Sequence, residues 1–297
     1  MKTRLIICFL AISLTGMAQT FTEKITKELS FEKKAPNNAL MILNINGDIK
    51  IEGYAGDKIL IEAERIIKGK TQARMDQGKQ EIQLGMVDRA DSLILYVQGA
   101  CNDFGRVIDK NRGQKKWNGW GYNWNDCRGG KCDKLYDYEM NFVIKVPASI
   151  HVLASTINNG DVEITGVKGQ VLAENINGSI RLKEISGATH ASTINGSVDL
   201  DYSGNPSGDS RYYTLNGDIN ANFRKGLAAQ LTFKSFNGEF YSSVDDITPM
   251  AVKVEQYNDG DGIHFKVNGN RYKVRQGGPL LDFETFNGNV YLKEKAN

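Results

Sequence analysis

All three tryptophans of the chain, Trp117, Trp120 and Trp124, fall within eight residues of one another, with Tyr122 between them and Gly and Asn around them. Rings spaced along a loop can stack on sugar faces or anchor a protein partner, because Trp and Tyr join a large apolar area to a polar handle. The same rings can instead fold down as a lid over apolar surface and strand edges. Cys101, Cys127 and Cys132 sit at the base of this segment. In an oxidising compartment one pair would close a disulfide and pin the loop, leaving one thiol over. Spacing does not choose the pair: Cys127 with Cys132 closes a tight loop, whereas Cys101 with either staples the whole insertion. A zinc site needs a fourth ligand and no His lies near, so no metal is expected.

Elsewhere the chemistry-bearing residues are scattered. His151, His190 and His264 are far apart in sequence, which points to structural or solvent-facing roles. Asn258-Asp259-Gly260-Asp261-Gly262 has the look of a calcium loop but lacks the ordered alternate ligands and distal Glu of one, so it reads as a surface turn. Nucleophile elbows, phosphate-cradling glycine loops and His-Glu-x-x-His motifs are absent. The expectation is a non-enzymatic protein without a cofactor. The alternative is a carbohydrate-active β-helix enzyme that places two carboxylates in one groove.

The elements that would have to position these residues are announced by one short phrase. An apolar residue, Asn, Gly, a polar residue and an apolar residue recur at Asn177-Gly178, Asn195-Gly196, Asn216-Gly217 and Asn237-Gly238, with glycines 18, 21 and 21 residues apart. Ile157-Asn158-Asn159-Gly160 is a variant with one extra Asn, and outlying copies stand at Asn46-Gly47 and Asn287-Gly288. A fixed period of this length marks a repeat architecture.

Asn-Gly is also the strongest short signal for a two-residue hairpin. In that register Ile176 would oppose Ser179 and Asn175 would oppose Ile180, so neither face would become a core. If Asn-Gly instead turns a corner between coils that stack in parallel, apolar columns form. One would hold Ile176, Ile194, Leu215 and Phe236, pointing inward; a second Ile180, Val198, Ile219 and Phe240; a third Ile164, Leu182, Leu200 and Ala221. The corner asparagines would bond to one another or to backbone up the stack, with Gly at the bend. The acids after the glycines, Asp48, Asp161, Asp218 and Glu239, alternate with Ser and Asn in other copies, so that position asks for polarity rather than charge.

The fold expected is therefore all-β: a parallel β-solenoid, β-helix-like, with coils of about 18–21 residues, the alternative being an antiparallel meander or sandwich. Around Asn268-Gly269 the hairpin register pairs Phe265 with Tyr272 and Ile263 with Val274, which predicts a late β-hairpin over 263–274. Upstream, strands are expected over 21–31, 39–51, 58–67, 92–97 and 138–146, and 69–83 is readable as a short helix or a hairpin loop.

Lys2 and Arg4 precede an apolar run over 5–14 and small residues up to Ala18, the pattern of a secretory signal peptide over 1–18. Cys8 lies inside that run, which speaks against a lipoprotein anchor. Removing Lys2 and Arg4 leaves 35 basic residues against 35 acidic ones, so nothing points to nucleic acid, and no later run is long enough to cross a membrane as a helix. The organisation expected is a β region over 19–150, carrying the Trp/Cys-rich loop over 97–136, then the Asn-Gly repeats over 151–297.

With Val146-Pro147-Ala148 ahead of Thr156-Ile157-Asn158-Asn159-Gly160-Asp161, Thr-x-Asn-Gly at Thr193 and Thr214, and a close on Thr285-Phe286-Asn287-Gly288-Asn289-Val290-Tyr291-Leu292, the chain resembles the bacterial putative-adhesin β-strand-repeat family. That family is a domain of unknown function related to the adhesin-head domains of bacterial envelope proteins, and it has no catalytic signature to carry over. The resemblance covers roughly 40–292, leaves out the Val97 to Tyr136 insertion, and implies an exported envelope protein, periplasmic or at the cell surface. It implies a binding or scaffold role, with a glycan or another envelope protein as partner.

Overall fold

The computed structural model describes residues 19–35, 37–99, 103–104, 122–123, 135–251, 253–258, 263–268 and 270–295. The chain begins with β1 (Gln19–Leu29), β2 (Ala39–Leu43), β3 (Ile49–Tyr54) and β4 (Ile59–Gly69). Helix α1 (Gln72–Glu81) follows, then β5 (Gln83–Asp88) and β6 (Ser92–Gln98). Thr71 caps the helix by accepting the Arg74 N–H at 3.4 Å, and Met75 and Gly78 are its buried residues. Two short strands, β7 (Asp103–Phe104) and β8 (Tyr122–Asn123), pair antiparallel within the insertion before β9 (Tyr136–Pro147).

The repeats then alternate between two sheets. β10 (His151–Ser155), β12 (Val171–Glu174), β14 (Thr189–Asn195) and β16 (Ser210–Asn216) enter an eleven-stranded sheet. β11 (Val162–Thr165), β13 (Ile180–Ile185), β15 (Val198–Tyr202) and β17 (Ile219–Phe223) enter a ten-stranded one. Both sheets are open, and neighbouring repeat strands run parallel, so each passage of the chain adds one rung to each sheet.

Alternation along each strand decides what is buried. Ile180, Val198 and Ile219 align in register and are fully buried, as are Ile164, Leu182, Leu200 and Ala221 beside them. Facing them from the other sheet are Ala173, Ala191 and Tyr212, and the two inner faces share one continuous core. Tyr202 and Tyr212 reach across it, hydroxyl to hydroxyl at 2.7 Å, which satisfies two buried polar groups at once. Tyr202 stacks on Phe223 and Tyr212 packs on Phe283, giving this part of the core an aromatic filling.

The last rungs are out of sequence order. The remaining strands are β18 (Ala229–Asn237), β19 (Phe240–Ser242), β20 (Ile247–Pro249), β21 (Lys253–Asn258), β22 (Ile263–Asn268), β23 (Arg271–Val274), β24 (Leu280–Asn287) and β25 (Val290–Glu294). β24 inserts between β16 and β18, and β25 between β17 and β19. The Asn287-Gly288 copy is thus the rung between those of Asn216 and Asn237, and Leu215 does not meet Phe236 directly.

At the other end β3 and β2 pair with β11 and β10, and β9 lies parallel beside β3. Beyond β9 the ten-stranded sheet turns antiparallel through β4 and β1, and the eleven-stranded one ends on β6 and antiparallel β5.

Two expectations are corrected. Ile263–Asn268 does not pair with 271–274: β22 pairs antiparallel with β21, while β23 joins β18 and β20. Val274 is fully buried opposite Ala229 in that pairing, a gain the local register could not reveal. The first apolar column also faces outward. Thr193 and Thr214 are buried, so the next residues, Ile194 and Leu215, must point to the other side of the strand.

Candidate binding surface at the Asn-Gly corner

Each corner is tied to its neighbours by three sets of hydrogen bonds. The first is a ladder of asparagine side chains: Asn177 Nδ2 donates to Asn158 Oδ1, Asn195 to Asn177, Asn216 to Asn195, Asn287 to Asn216 and Asn237 to Asn287, all at 2.8–2.9 Å. In the first full repeat Asn158 takes the ladder position, and the extra Asn159 adopts a left-handed φ of 55°.

The second set explains the Thr of Thr-x-Asn-Gly. Thr156, Thr193, Thr214 and Thr285 each donate their hydroxyl to the glycine carbonyl of an adjacent rung, and Asn175 does the same with its amide. That residue was legible as a recurring Thr, but its task was missed. In the third set the polar residue after glycine accepts a backbone N–H from the next rung: Asp48 from Asp161, Asp161 from Ser179, Asp218 from Asn289, Asn289 from Glu239. Any short acceptor serves, which is why acid, Ser and Asn interchange.

Glycine is required by close approach. A Cβ on Gly178, Gly196, Gly217, Gly288 or Gly238 would collide with the glycine carbonyl of the adjacent rung.

Beside the asparagines runs the outward apolar column. It begins with buried Ile45 and Ile157, continues through half-buried Ile176, Ile194 and Leu215, and ends on Phe286 and Phe236, which are 44% and 74% exposed. The two rings stack face to face at 4.8 Å. On the far side of the same corner Tyr241, 47% exposed, stacks on Tyr291 at 5.2 Å. Two stacked aromatic pairs therefore flank the corner at one end of the two sheets, with Phe236, Phe286 and Tyr241 exposed and Tyr291 half-buried.

A second feature crosses the outer face of the eleven-stranded sheet: a shallow groove of about 670 Å³. Met41, Leu153, Leu172, His190, Arg211 and Asp282 follow one another across adjacent strands in a single row. Burial, and secondarily the Arg211 charge, hold the His190 imidazole below its ordinary pKa. The groove's acids are engaged: Asp209 accepts the Leu280 N–H at 2.8 Å, and Asp282 accepts the Thr232 hydroxyl and lies 3.7 Å from Arg211. Arg211 is also paired with Glu284 at 2.8 Å.

Trp117, Trp120 and Trp124, the cysteines Cys101, Cys127 and Cys132, and the 1–18 segment lie outside the described residues. Tyr122 is placed only as part of β8. His151 accepts the Gln170 N–H at the groove's edge. Among the described residues no group of three or more His, Cys, Asp or Glu could hold a metal ion, and no helix is long and apolar enough to cross a membrane.

No protein-family model matches the chain, and no curated protein matches it. Two solved structures are similar. One is a putative cell adhesion protein from Clostridium sporogenes, 13% identical, with a TM-score of 0.45 over 93% of this chain and 100% of that one. The other is a putative adhesin from Bacteroides fragilis, 12% identical, with a TM-score of 0.36 over 92% of this chain and 97% of that one.

Proposed function

We propose that this chain is an exported, non-enzymatic module of the cell envelope, a two-sheet β-solenoid that presents a long surface for binding or scaffolding. Export rests on the charged, apolar and small-residue pattern of residues 1–18. The observation that carries the binding role is the exposed face-to-face pair of Phe236 and Phe286, apolar surface of the kind that marks an interaction site, with the Tyr241–Tyr291 pair on the other side of the same corner. Trp117, Trp120, Tyr122 and Trp124 form a second contact in this reading, facing a glycan or an envelope protein. The engagement of Asp209 and Asp282 in holding strands together favours binding over sugar cleavage.

The test is binding of the mature chain to a glycan array and to isolated envelope fragments, comparing wild type with Phe236→Ser/Phe286→Ser and with a triple Trp117, Trp120 and Trp124 to Ala variant. Each variant is expected to weaken binding about tenfold while keeping the far-UV spectrum of wild type. Binding unchanged by both variants, or turnover of a bound glycan, would contradict the reading. Loss of folding in the triple variant would assign the tryptophans to a lid instead.

A further inference from the structure

Inside the stack most corners offer the next one the same set of contacts. Asn195 Oδ1 accepts from Asn216 Nδ2 at 2.9 Å, the Gly196 N–H donates to the Asn216 carbonyl at 3.0 Å, and the Gly196 carbonyl accepts the Thr214 hydroxyl at 2.8 Å. The rung that comes last in space is 233–242. β23 covers β18 only from Ala229 to Thr232, with one further bond from the Phe233 N–H to the Asn270 carbonyl. Among the described residues, this rung from Lys234 onward has a strand neighbour on one side alone.

The contacts left over there are those that the inner corners use. Among the described residues Asn237 Oδ1 receives no donor and the Gly238 N–H finds no acceptor, and both residues are exposed. Glu239 and Ser243 direct their backbone groups to β25, so Phe240 and Ser242 direct theirs outward.

β1 carries Lys24 and Lys27, and β20 ends on Pro249; here the charges, Lys234 and Glu239, flank the corner, and Phe240-Tyr241-Ser242 has neither charge nor proline. Nor can a folded second copy continue the stack head to tail. Its first corner, Asn46-Gly47, is already covered by β9: the Met140 N–H donates to the Asn46 carbonyl, and Asn141 accepts from Asp48 N–H. The free corner of a second copy is its own Asn237-Gly238, which could meet this one only edge to edge and antiparallel, whereas an extended chain can add in parallel as every inner rung does.

We propose that the outer edge of residues 234–242 is a docking site for an extended segment of another polypeptide that carries the same phrase: apolar residue, Asn, Gly, polar residue, apolar residue. The proposal rests on the reading of this chain as a stacked binding module and names its partner's chemistry. The segment adds as one more parallel rung. Its Asn amide donates to Asn237 Oδ1, its Asn carbonyl accepts the Gly238 N–H, and its first apolar side chain covers the open face of Phe236. Selectivity comes from glycine, since a Cβ at that position would meet the Gly238 carbonyl just as a Cβ on Gly238 would meet that of Gly288.

The probe is a fluorescein-labelled synthetic peptide with the sequence of Glu284 to Glu294, titrated with the mature protein and read by fluorescence polarisation. Saturable binding is expected, weakened at least about tenfold by Gly288→Ala in the peptide and less by Asn287→Ala. Ser242→Pro in the protein removes the outward N–H without touching β25 and should abolish binding; peptide variants alone keep the test intact should that protein fail to fold. Absence of binding, equal binding of the Gly288→Ala peptide, or a dimer in sedimentation that Ser242→Pro dissolves would overturn the proposal. Peptide failure beside retained envelope binding overturns it without touching the proposed function.

Discussion

Two apolar columns flank the Asn-Gly corner, made of similar residues and separated by only four positions, yet they meet opposite fates. Ile180, Val198, Ile219 and Val290 are sealed between the sheets, whereas Ile176, Ile194, Leu215, Phe286 and Phe236 climb the outside and grow more exposed towards one end. Hydrophobicity therefore does not say which column holds the protein together. The corner's geometry does, because Thr193, Thr214 and Thr285 turn inward to bond glycine carbonyls and push the next side chain out.

The sharpest way to break this contrast is to truncate both columns. Ile219→Ala opens a cavity in a fully buried site and should cost about 2–5 kcal/mol, whereas Leu215→Ala should cost about 1 kcal/mol or less, as read from urea midpoints. Equal losses would mean that the outer column is core. Gly196→Ala comes next: its Cβ would press on the Gly178 carbonyl, two backbones that cannot separate without losing ladder bonds, at about 1–3 kcal/mol.

The corner bonds give smaller effects. Asn195 donates to Asn177 and accepts from Asn216, whereas among the described residues the Asn237 side chain makes only the bond to Asn287. Asn195→Ala should lose about 1 kcal/mol and Asn237→Ala about half of it. A pH effect on the outer groove is weaker still. His190 binds its proton less readily in the folded chain than at the ordinary value of 6.5, so the unfolded state takes up more protons near that pH. The stability contribution is full above about 6.5 and falls as pH drops below it. His190→Gln should flatten the melting temperature between pH 7 and 5 relative to wild type. Last, Phe236→Ser should move stability by no more than about 0.5 kcal/mol while weakening binding at the aromatic patch.

Much of the inner architecture was legible because strand alternation preserves it: Ile164, Leu182, Leu200 and Ala221 could be aligned from spacing alone. The outer column was misplaced because alternation does not carry across a bend, and Ile176 and Ile180 are related by the corner, not by one strand. The position of the final copy was hidden for a different reason. Identical phrases stack equally well on any neighbour, so nothing local says that Asn287 belongs between Asn216 and Asn237. The 263–274 hairpin failed because a buried partner for Val274 outweighed a good local register. The aromatic patch could be assembled only once Phe236 and Phe286, 50 residues apart, were brought together.

The central claim, that Asn-Gly phrases stack rung on rung in the order 195, 216, 287, 237, is tested most directly by cysteine pairs. Adjacent parallel strands lie about 4.8 Å apart, within disulfide reach, and strands two rungs apart lie about 10 Å apart, beyond it. Under mild oxidation Asn216→Cys/Asn287→Cys is predicted to cross-link fully and Asn216→Cys/Asn237→Cys to remain reduced. Cross-linking of the second pair and not the first would contradict the order of the stack and, with it, the open edge and the aromatic patch.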